Sequence, residues 1–516
     1  MEPRFRQHAA WLLVCLAYLF ASPYFERVNN PNENARIWAT RAIVVEHVLN
    51  IDGVQREWGW VNDKAKNEHH TYSGKAPGTS FLGVPVLYVH AKLRQLAGWG
   101  LPDKAHTTFW LRLIAIKLPM CIFLYAFARW ARRVTRAALG RDLLVVALGL
   151  GTLLYPYGGI FVGHALAAAA AFSSYMLLDE PRAASDRSWP WLAGAGCFAG
   201  LTVLFEYQAV LVAAALAIYA AVRYRARVWA FAVGALPPAI ALGAYHTALF
   251  GRPWRFPFGA VENPGFQYAH TAGFHGLSLP HPAAFPSFLV SPSYGLFAFS
   301  PILALGVVAA FILLRRGPRR EATLALAVSV LMFLFLAGMT NWRGGWCVGP
   351  RYIASVAPFL LLPLALLWPR LSARWWPPAL AAGLLVPSVL LNVVSGAVYP
   401  HYPESYDNPV FDLTFPLLGD GYVPYGLGWR LGLRGLAALA PLATVVLAAL
   451  ALVLSGDDPR PRRWATQLLL ALGVAALFLG ALASYGRAPR ADEQRSTRNV
   501  RAAWDPAPAR PAGNRP

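Results

Sequence analysis

Apolar segments of about 20 residues recur along the whole chain, and short clusters of arginine separate them. A soluble domain carries roughly 25% charged residues, whereas this chain of 516 residues has 14% charged and 57% hydrophobic residues. About 20 apolar residues are enough for a helix to cross the hydrocarbon core of a bilayer. The pattern therefore predicts an all-α polytopic membrane protein and argues against a soluble domain.

The arginine clusters predict which connections lie on the cytoplasmic side, because Lys and Arg accumulate in cytoplasmic loops. This placement also accounts for the net charge of +21, so no nucleic-acid partner is expected. The clusters are Arg4 with Arg6, 129–141, 223–227, 315–320, 370–374 and 460–463. If all six are cytoplasmic, about thirteen spans are predicted, near 9–22, 107–128, 142–157, 163–179, 190–205, 207–222, 228–250, 292–314, 321–339, 352–368, 376–398, 431–454 and 464–485.

The first span follows two arginines and lacks a small-residue cleavage site, so we expect it to remain uncleaved. The stretch 79–97 is also apolar, but a crossing there would invert every later loop. We therefore expect it to be a re-entrant or interfacial helix. A transmembrane domain over 1–485 and a disordered, Arg- and Pro-rich tail over 486–516 are predicted.

Four segments are predicted to be external, and they hold most of the Gly, Pro, aromatic and polar residues outside the basic clusters. They are 23–106, 251–291, 340–351 and 399–430. Non-helical backbone near a bilayer must be buried in protein or line a wet cavity. The first and largest segment is expected to contain juxtamembrane helices, and the chemistry is expected on this outer side.

The first external segment begins with a run of asparagines that contains Asn32 and Glu33. One interpretation is structural, because Pro31 or Asn32 can start a helix and a carboxylate stabilises its N-terminal end. The other is catalytic: Glu33 just above the bilayer could act as a general base, its pKa raised by a dry cleft. The sequence leaves both open.

Lys75 lies in the turn 72–78, between small residues and a proline, with Tyr72 at its start. Its ammonium could meet an anion as a point charge. A lysine at a membrane interface can equally be a snorkelling anchor.

The segment 341–352 combines three glycines with Arg343 and Arg351 and ends in Tyr352. Glycine lets backbone amides approach a ligand, and arginine binds phosphate with two parallel hydrogen bonds. An aromatic belt with two interfacial arginines is the alternative, but it gives the glycines no role. We favour an anion-binding segment.

Three further charged residues lie in or beside predicted spans. Arg112 and Lys117 lie in the second span, and an intramembrane charge marks a functional site by default. Arg112 is near the outer end and could reach the same cavity. Glu206 lies at an outer turn between two spans, where it could be only a loop residue.

Together these motifs resemble those of bacterial GT-C glycosyltransferases, the group of protein O-mannosyltransferases and lipid A aminoarabinose transferases. The resemblance covers the whole topology. It rests on an acidic residue after the first span, the Tyr-x-x-Lys-x-Pro turn, and Gly-Gly-Trp-x-x-Gly-Pro-Arg-Tyr before a late helix. One departure is Asn32 where many relatives have Asp, which places a two-carboxylate mechanism in doubt.

The resemblance implies an inverting transfer of a sugar from a polyprenyl-phosphate donor to an envelope glycan, lipid or protein. The reaction would occur at the periplasmic face of the bacterial inner membrane. Glu33 would be the base, and Lys75 and Arg351 would contact the donor phosphate, with Arg343 and Arg112 nearby. Asn32, Tyr72, Tyr352 and Glu206 would line the same cavity. No metal ion or other cofactor is expected.

Two other functions remain open on the sequence. A transporter or lipid flippase would need polar residues near the bilayer midplane and paired broken helices, and only Lys117 is a candidate. A structural assembly subunit would have no use for charged, glycine-rich outer loops.

Overall fold

Helices dominate the computed structural model, which describes residues 7–27, 30–184, 189–274, 276–455, 461–485 and 490–504. The helices of the first half are α1 Ala9–Phe20, α2 Pro31–Arg41, α3 Asp52–Trp58, α4 Gly78–Leu96, α5 Lys104–Trp110, α6 Leu118–Thr135, α7 Ala138–Leu150, α8 Leu154–Gly158, α9 His164–Leu178, α10 Trp189–Phe205, α11 Val210–Tyr224 and α12 Val228–Phe250. Those of the second half are α13 Pro264–Thr271, α14 Ala284–Leu289, α15 Leu296–Phe299, α16 Ile302–Arg316, α17 Arg319–Gly338, α18 Val356–Leu371, α19 Trp376–Val398, α20 Phe415–Gly419, α21 Leu427–Arg430, α22 Ala440–Leu454, α23 Pro461–Ala483 and α24 Ala491–Ala503.

Shorter elements join these helices. The π-helical turns are Ala42–Glu46, Leu111–Lys117 and Val410–Thr414. The 3₁₀ turns are Pro181–Ala184, Tyr207–Ala209, Arg225–Arg227, Pro257–Ala260, Arg351–Ile353 and Gly435–Leu439. Two short antiparallel strands, β1 Lys64–Lys66 and β2 Thr71–Ser73, pair with Ala65 opposite Tyr72. Within the described residues, the all-α prediction is therefore confirmed apart from one hairpin, which lies in the segment 23–106.

Among the described residues, six helical stretches are long and apolar enough to cross a membrane. They are Lys104–Thr135, Tyr207–Phe250, Arg319–Gly338, Trp376–Val398, Gly435–Leu454 and Arg462–Ala483. Five shorter apolar helices accompany them, among them α1, α9, α10 and α18. These helices support a multi-pass membrane protein. Each predicted span overlaps a helix. The total of thirteen spans stays a prediction.

Small residues let the long helices pack closely. A Cβ added to Gly196 of α10 would lie 1.8 Å from the carbonyl oxygen of Phe231. One added to Gly234 of α12 would lie 1.9 Å from the carbonyl oxygen of Ala193. Glycine at a helix interface lets two backbones approach in this way. The two glycines thus allow close packing of α10 against α12. The turn that carries Glu206 follows the end of α10.

The stretch 79–97 forms the regular helix α4. It packs against α2 and against the π-helical turn that contains Arg112. Its outer face leaves Tyr88, Val89 and Leu93 more than half exposed. These contacts place α4 beside the residues of the candidate site.

The predicted disorder of 486–516 is wrong for residues 490–504, which contain α24. Trp504 is buried and its ring lies 4.8 Å from that of Phe25 and 5.6 Å from that of Tyr399. Tyr406 also contacts this segment, because its hydroxyl donates to the carbonyl oxygen of Glu493 at 3.1 Å and lies 2.5 Å from the hydroxyl of Thr497. A segment poor in apolar residues is thus held by a buried aromatic ring and by polar contacts. The remainder of this predicted tail, 486–489 and 505–516, lies outside the described residues.

Candidate functional site

Glu33 and Arg112 form a buried ion pair where α2 begins. Arg112 donates from Nε to Oε1 of Glu33 at 2.7 Å and from Nη2 to Oε2 at 2.6 Å. The backbone N–H of Phe161 also donates to Oε1, at 2.6 Å. The remaining Nη1 of Arg112 donates to the carbonyl oxygen of Pro23 at 2.7 Å. Both oxygens of Glu33 therefore accept hydrogen bonds.

The expected rise in the pKa of Glu33 is wrong. Burial alone would raise this pKa, but the charge and hydrogen bonds of Arg112 and the N–H of Phe161 outweigh it. The pKa of the Glu33 carboxyl therefore lies below its ordinary value. The carboxylate is held ionised, and in this arrangement it is a weak proton acceptor.

Two neighbouring pockets share Asn30 and His401, and one of them is lined by both members of this ion pair. One is lined by Asn30, Asn32, Tyr157, Ile160, Val162, His164, Trp346, Cys347, Arg351, Pro400 and His401. The other is lined by Tyr24, Phe25, Asn30, Glu33, Asn34, Lys104, Thr108, Arg112 and His401. We call them the Arg351 pocket and the Glu33 pocket. The structure thus brings Asn32 and Arg351 into one pocket and places Glu33 and Arg112 in the adjoining one.

Arg351 lies in a 3₁₀ turn after the glycine-rich segment and is buried. Its Nη2 donates to the carbonyl oxygen of Gly344, and its guanidinium carbon lies 5.2 Å from the ring centre of Tyr352. Its Nε is buried and has no hydrogen-bond partner among the described residues. Gly344 and Gly349 have φ values of +69° and +56°, which L side chains rarely adopt. The glycines therefore shape the turn that presents Arg351.

Arg343 and Tyr352 are close to the Arg351 pocket but are not among its lining residues. The guanidinium of Arg343 lies 5.5 Å from the ring centre of Tyr294. The ring of Tyr352 lies 6.1 Å from that of His164. The predicted phosphate contact of Arg343 and the predicted cavity position of Tyr352 stay predictions.

Lys75 is paired with a carboxylate that the sequence did not single out. Its Nζ lies 2.9 Å from Oδ2 of Asp63, which precedes β1. Burial would raise the pKa of Asp63, but Lys75, and then Arg351 and Arg36, hold it below its ordinary value. Lys75 therefore lies within electrostatic range of the Arg351 pocket without being one of its lining residues.

Tyr72 belongs to a separate apolar cluster. Its ring packs 6.0 Å from that of Phe250, and its hydroxyl accepts a hydrogen bond from Asn67 at 3.2 Å. Tyr72 is not among the lining residues of the two pockets, and its predicted position in the cavity stays a prediction. The hairpin directs this side chain into the packing around α12.

Glu206 is also engaged by partners that sequence analysis missed. Arg36, which follows Glu33 by three residues, donates from Nη2 to Oε1 of Glu206 at 2.7 Å. Nδ1 of His164 lies 3.4 Å from the same oxygen. All three side chains are buried. Glu206 itself does not line either pocket. It connects Arg36 of α2 to His164, which lines the Arg351 pocket.

His401 lines both the Arg351 pocket and the Glu33 pocket. Burial lowers the pKa of His401 to about 4, although the charge of Glu33 opposes this shift. His401 is therefore neutral near pH 7. No recognisable sequence motif contains His164, Arg36, Asp63 or His401. Only the tertiary structure could therefore identify these residues as part of the candidate site.

No group of three or more His, Cys, Asp and Glu side chains suited to holding a metal ion occurs within the described ranges. Among the cations of this region, Arg36, Arg343 and Arg351 each have a buried Nε without a hydrogen-bond partner among the described residues. Buried guanidinium groups suit an anionic ligand such as a phosphate.

No protein-family model and no curated protein matches this chain. Solved structures are similar at low identity. ArnT from Cupriavidus metallidurans matches in its apo state at 17% identity and a TM-score of 0.42, and bound to undecaprenyl phosphate at 16% and 0.43. In both cases 93% of this chain and 77% of ArnT are covered. The Archaeoglobus fulgidus oligosaccharyltransferase tethered with an acceptor peptide matches at 13% identity and a TM-score of 0.49, over 78% of this chain and 56% of that one.

Proposed function

We propose that this protein is an inverting glycosyltransferase of the GT-C type. It transfers a sugar from a polyprenyl-phosphate donor to an envelope acceptor at the outer face of the bacterial inner membrane. The observation that carries the proposal is the Arg351 pocket, which is lined by one buried arginine together with polar and apolar side chains. It shares Asn30 and His401 with the pocket that holds the Glu33–Arg112 ion pair.

The donor phosphate would bind at the cations around this space. Arg351 has a buried N–H without a partner, and a phosphate oxygen would satisfy it. Lys75, Arg343 and Arg112 add positive charge to the surroundings. A preorganised positive field is most effective where negative charge develops in the transition state, here on the departing phosphate.

The bond changes balance without a nucleotide. The acceptor oxygen attacks the anomeric carbon from the face opposite the phosphate, and the bond between that carbon and the phosphate oxygen breaks. The electron pair of the broken bond leaves with the lipid phosphate. A group of the protein takes the acceptor's proton, and the displacement inverts the anomeric configuration.

The resemblance assigns the proton acceptor to Glu33, and this role stays a prediction. In the present arrangement Glu33 holds Arg112 at the edge of the Glu33 pocket. A donor phosphate that attracted Arg112 would release the carboxylate.

The flippase alternative draws less support from the described residues. Lys117, its candidate midplane charge, donates to the carbonyl oxygen of Ala21 at 2.8 Å and to the hydroxyl of Ser22. The buried ammonium therefore joins the π-helical turn before α6 to the residues that directly follow α1. Because Lys117 is engaged in these contacts between helices, it gives little support to a flippase, and the transferase is favoured.

The test is incubation of purified protein with a panel of radiolabelled polyprenyl-phosphate sugars and crude envelope acceptors. We expect wild-type protein to move label from one donor to an acceptor, and Arg351→Ala to lose most of that transfer. The control is Arg252→Ala, which changes an exposed arginine of the second external segment. The proposal fails if no donor in the panel is used, or if Arg351→Ala transfers sugar like the control.

A further inference from the structure

His164 lies at the first residue of α9, and its two ring nitrogens have different surroundings. Nδ1 lies 3.4 Å from Oε1 of Glu206. Nε2 is buried and has no hydrogen-bond partner among the described residues. The side chain lines the Arg351 pocket together with Asn32.

These surroundings favour one tautomer. A neutral imidazole has one N–H donor and one acceptor nitrogen, and the partner of one nitrogen decides the state of the other. The carboxylate of Glu206 can only accept, so it favours the proton on Nδ1. The lone pair then lies on Nε2, the nitrogen without a partner.

Glu206 is itself fixed by Arg36, whose Nη2 donates to Oε1 at 2.7 Å. Arg36 is anchored in turn by its Nη1, which donates to the carbonyl oxygen of Asn32 at 3.0 Å. The imidazole is therefore oriented by a carboxylate that α2 holds in place. A base whose orientation is set by a third group is a recurring arrangement in enzymes that activate hydroxyl groups.

Glu33 differs from His164 in the same region. Both its oxygens accept from Arg112, and one also accepts from the N–H of Phe161. Nε2 of His164 needs no partner to leave before it can accept a proton. Both carboxylate oxygens of Glu33 therefore already accept hydrogen bonds, whereas Nε2 of His164 has no partner among the described residues.

We propose that Nε2 of His164, in place of Glu33, accepts the proton of the acceptor hydroxyl, with Glu206 as the positioning residue. The inference rests on the proposed sugar transfer and names its base. The acceptor oxygen forms its bond to the anomeric carbon and its proton passes to Nε2. The carbon–oxygen bond to the donor phosphate breaks, and the phosphate keeps the electron pair.

The surrounding charges suit this step when the donor is present. Burial and the charges of Arg351, Arg36 and Lys75 all oppose a positive imidazole. Glu206, 3.4 Å from Nδ1, favours it, and the donor phosphate would add negative charge beside Arg351. The imidazolium that forms then lies between Glu206 and the departing phosphate. Proton acceptance is thus coupled to the presence of the lipid-linked donor.

The experiment compares His164→Asn and His164→Gln with wild type. Asparagine keeps an N–H donor near the Nδ1 position and glutamine places an amide near Nε2, but neither accepts a proton at neutral pH. Two assays are used: the rate of sugar transfer with the donor found in the panel, and direct binding of undecaprenyl phosphate. We expect kcat to fall by about a hundred- to ten-thousandfold, while KM for the donor and Kd for undecaprenyl phosphate change by less than about twofold.

The matched control is His246→Asn. His246 is equally buried and lies outside both pockets, 3.0 Å from the hydroxyl of Tyr207. Its variant should transfer at the wild-type rate. Glu206→Gln should lower kcat less than the His164 changes, and Glu206→Asp should restore part of the loss.

Near-wild-type kcat in either His164 variant would overturn the proposal. So would a loss of kcat matched by an equal loss of undecaprenyl phosphate binding in both variants, since His164 would then be a packing or phosphate contact. A wild-type protein that uses no donor refutes the proposed function itself, so the two failures are distinguishable.

Discussion

Arg112 and Glu33 are 79 residues apart in the sequence, yet two hydrogen bonds of 2.7 and 2.6 Å join the guanidinium to the carboxylate. Both side chains are almost fully buried. The pair fixes the start of α2 to the π-helical turn before α6. Everything that Glu33 does at this site depends on whether Arg112 stays in place.

The first prediction concerns this pair. Glu33→Gln should destabilise the protein by about 3–5 kcal/mol, because it leaves the guanidinium of Arg112 buried without a counter-charge. The double variant Glu33→Gln with Arg112→Met should unfold at a higher temperature than Glu33→Gln alone. Thermal unfolding in detergent gives both values. Equal melting temperatures for the single and double variants would contradict the prediction.

The second prediction concerns the phosphate contacts. Arg351→Ala and Lys75→Ala should weaken binding of undecaprenyl phosphate, since each removes a charge-assisted contact of about 1.5–3 kcal/mol. Arg351→Lys should also bind less well, because a lysine cannot form the two-pronged contact. Titration with undecaprenyl phosphate measures this, with the exposed Lys66→Ala as control. Unchanged affinity in both alanine variants would remove the phosphate assignment.

The third prediction concerns pH. Because the pKa of His401 is about 4 in the folded protein and about 6.5 in an unfolded chain, the unfolded state binds more protons between these values. Stability from this residue is therefore fully present above about pH 6.5 and is lost as pH falls towards 4, by roughly 3 kcal/mol in total. Melting temperatures at pH 7 and 5 should differ more in wild type than in His401→Gln. Identical pH dependence in the two proteins would rule out this role.

The positions of the helices could be predicted from sequence because long apolar runs leave few alternatives to a helix in a bilayer. Local boundaries were less accurate. The span expected at 292–314 begins as the helix α16 only at Ile302, after the short helix α15. Pro301 stands immediately before α16, where the ring's fixed φ suits a helix start.

The contacts of the candidate site's residues were less predictable than the positions of the helices. Glu33 and Arg351 stand in motifs, but the sign of the Glu33 pKa shift depends on Arg112, which only the tertiary fold brings near. Asp63 and His164 are isolated residues in the sequence, so no spacing signals them. The helix α24 was missed because it is held by Trp504, which follows it, and by tertiary contacts such as that of Tyr406 with Glu493, which composition does not reveal.

The fourth prediction concerns membrane orientation. In a background without the native cysteines, Gln267→Cys should react with an impermeant thiol reagent in intact cells, and Arg316→Cys should react only after permeabilisation. Both positions are exposed, and the arginine clusters assign them to opposite sides. The reverse labelling pattern would place the site on the cytoplasmic face.

The most direct test of the transferase uses proteoliposomes that contain a polyprenyl-phosphate donor labelled in its sugar, together with envelope acceptor. We expect wild-type protein to separate the label from the lipid and attach it to the acceptor, and Arg351→Ala to leave the donor largely intact. Label that crosses the bilayer still attached to its lipid, with no transfer to acceptor, would contradict the account and identify a flippase.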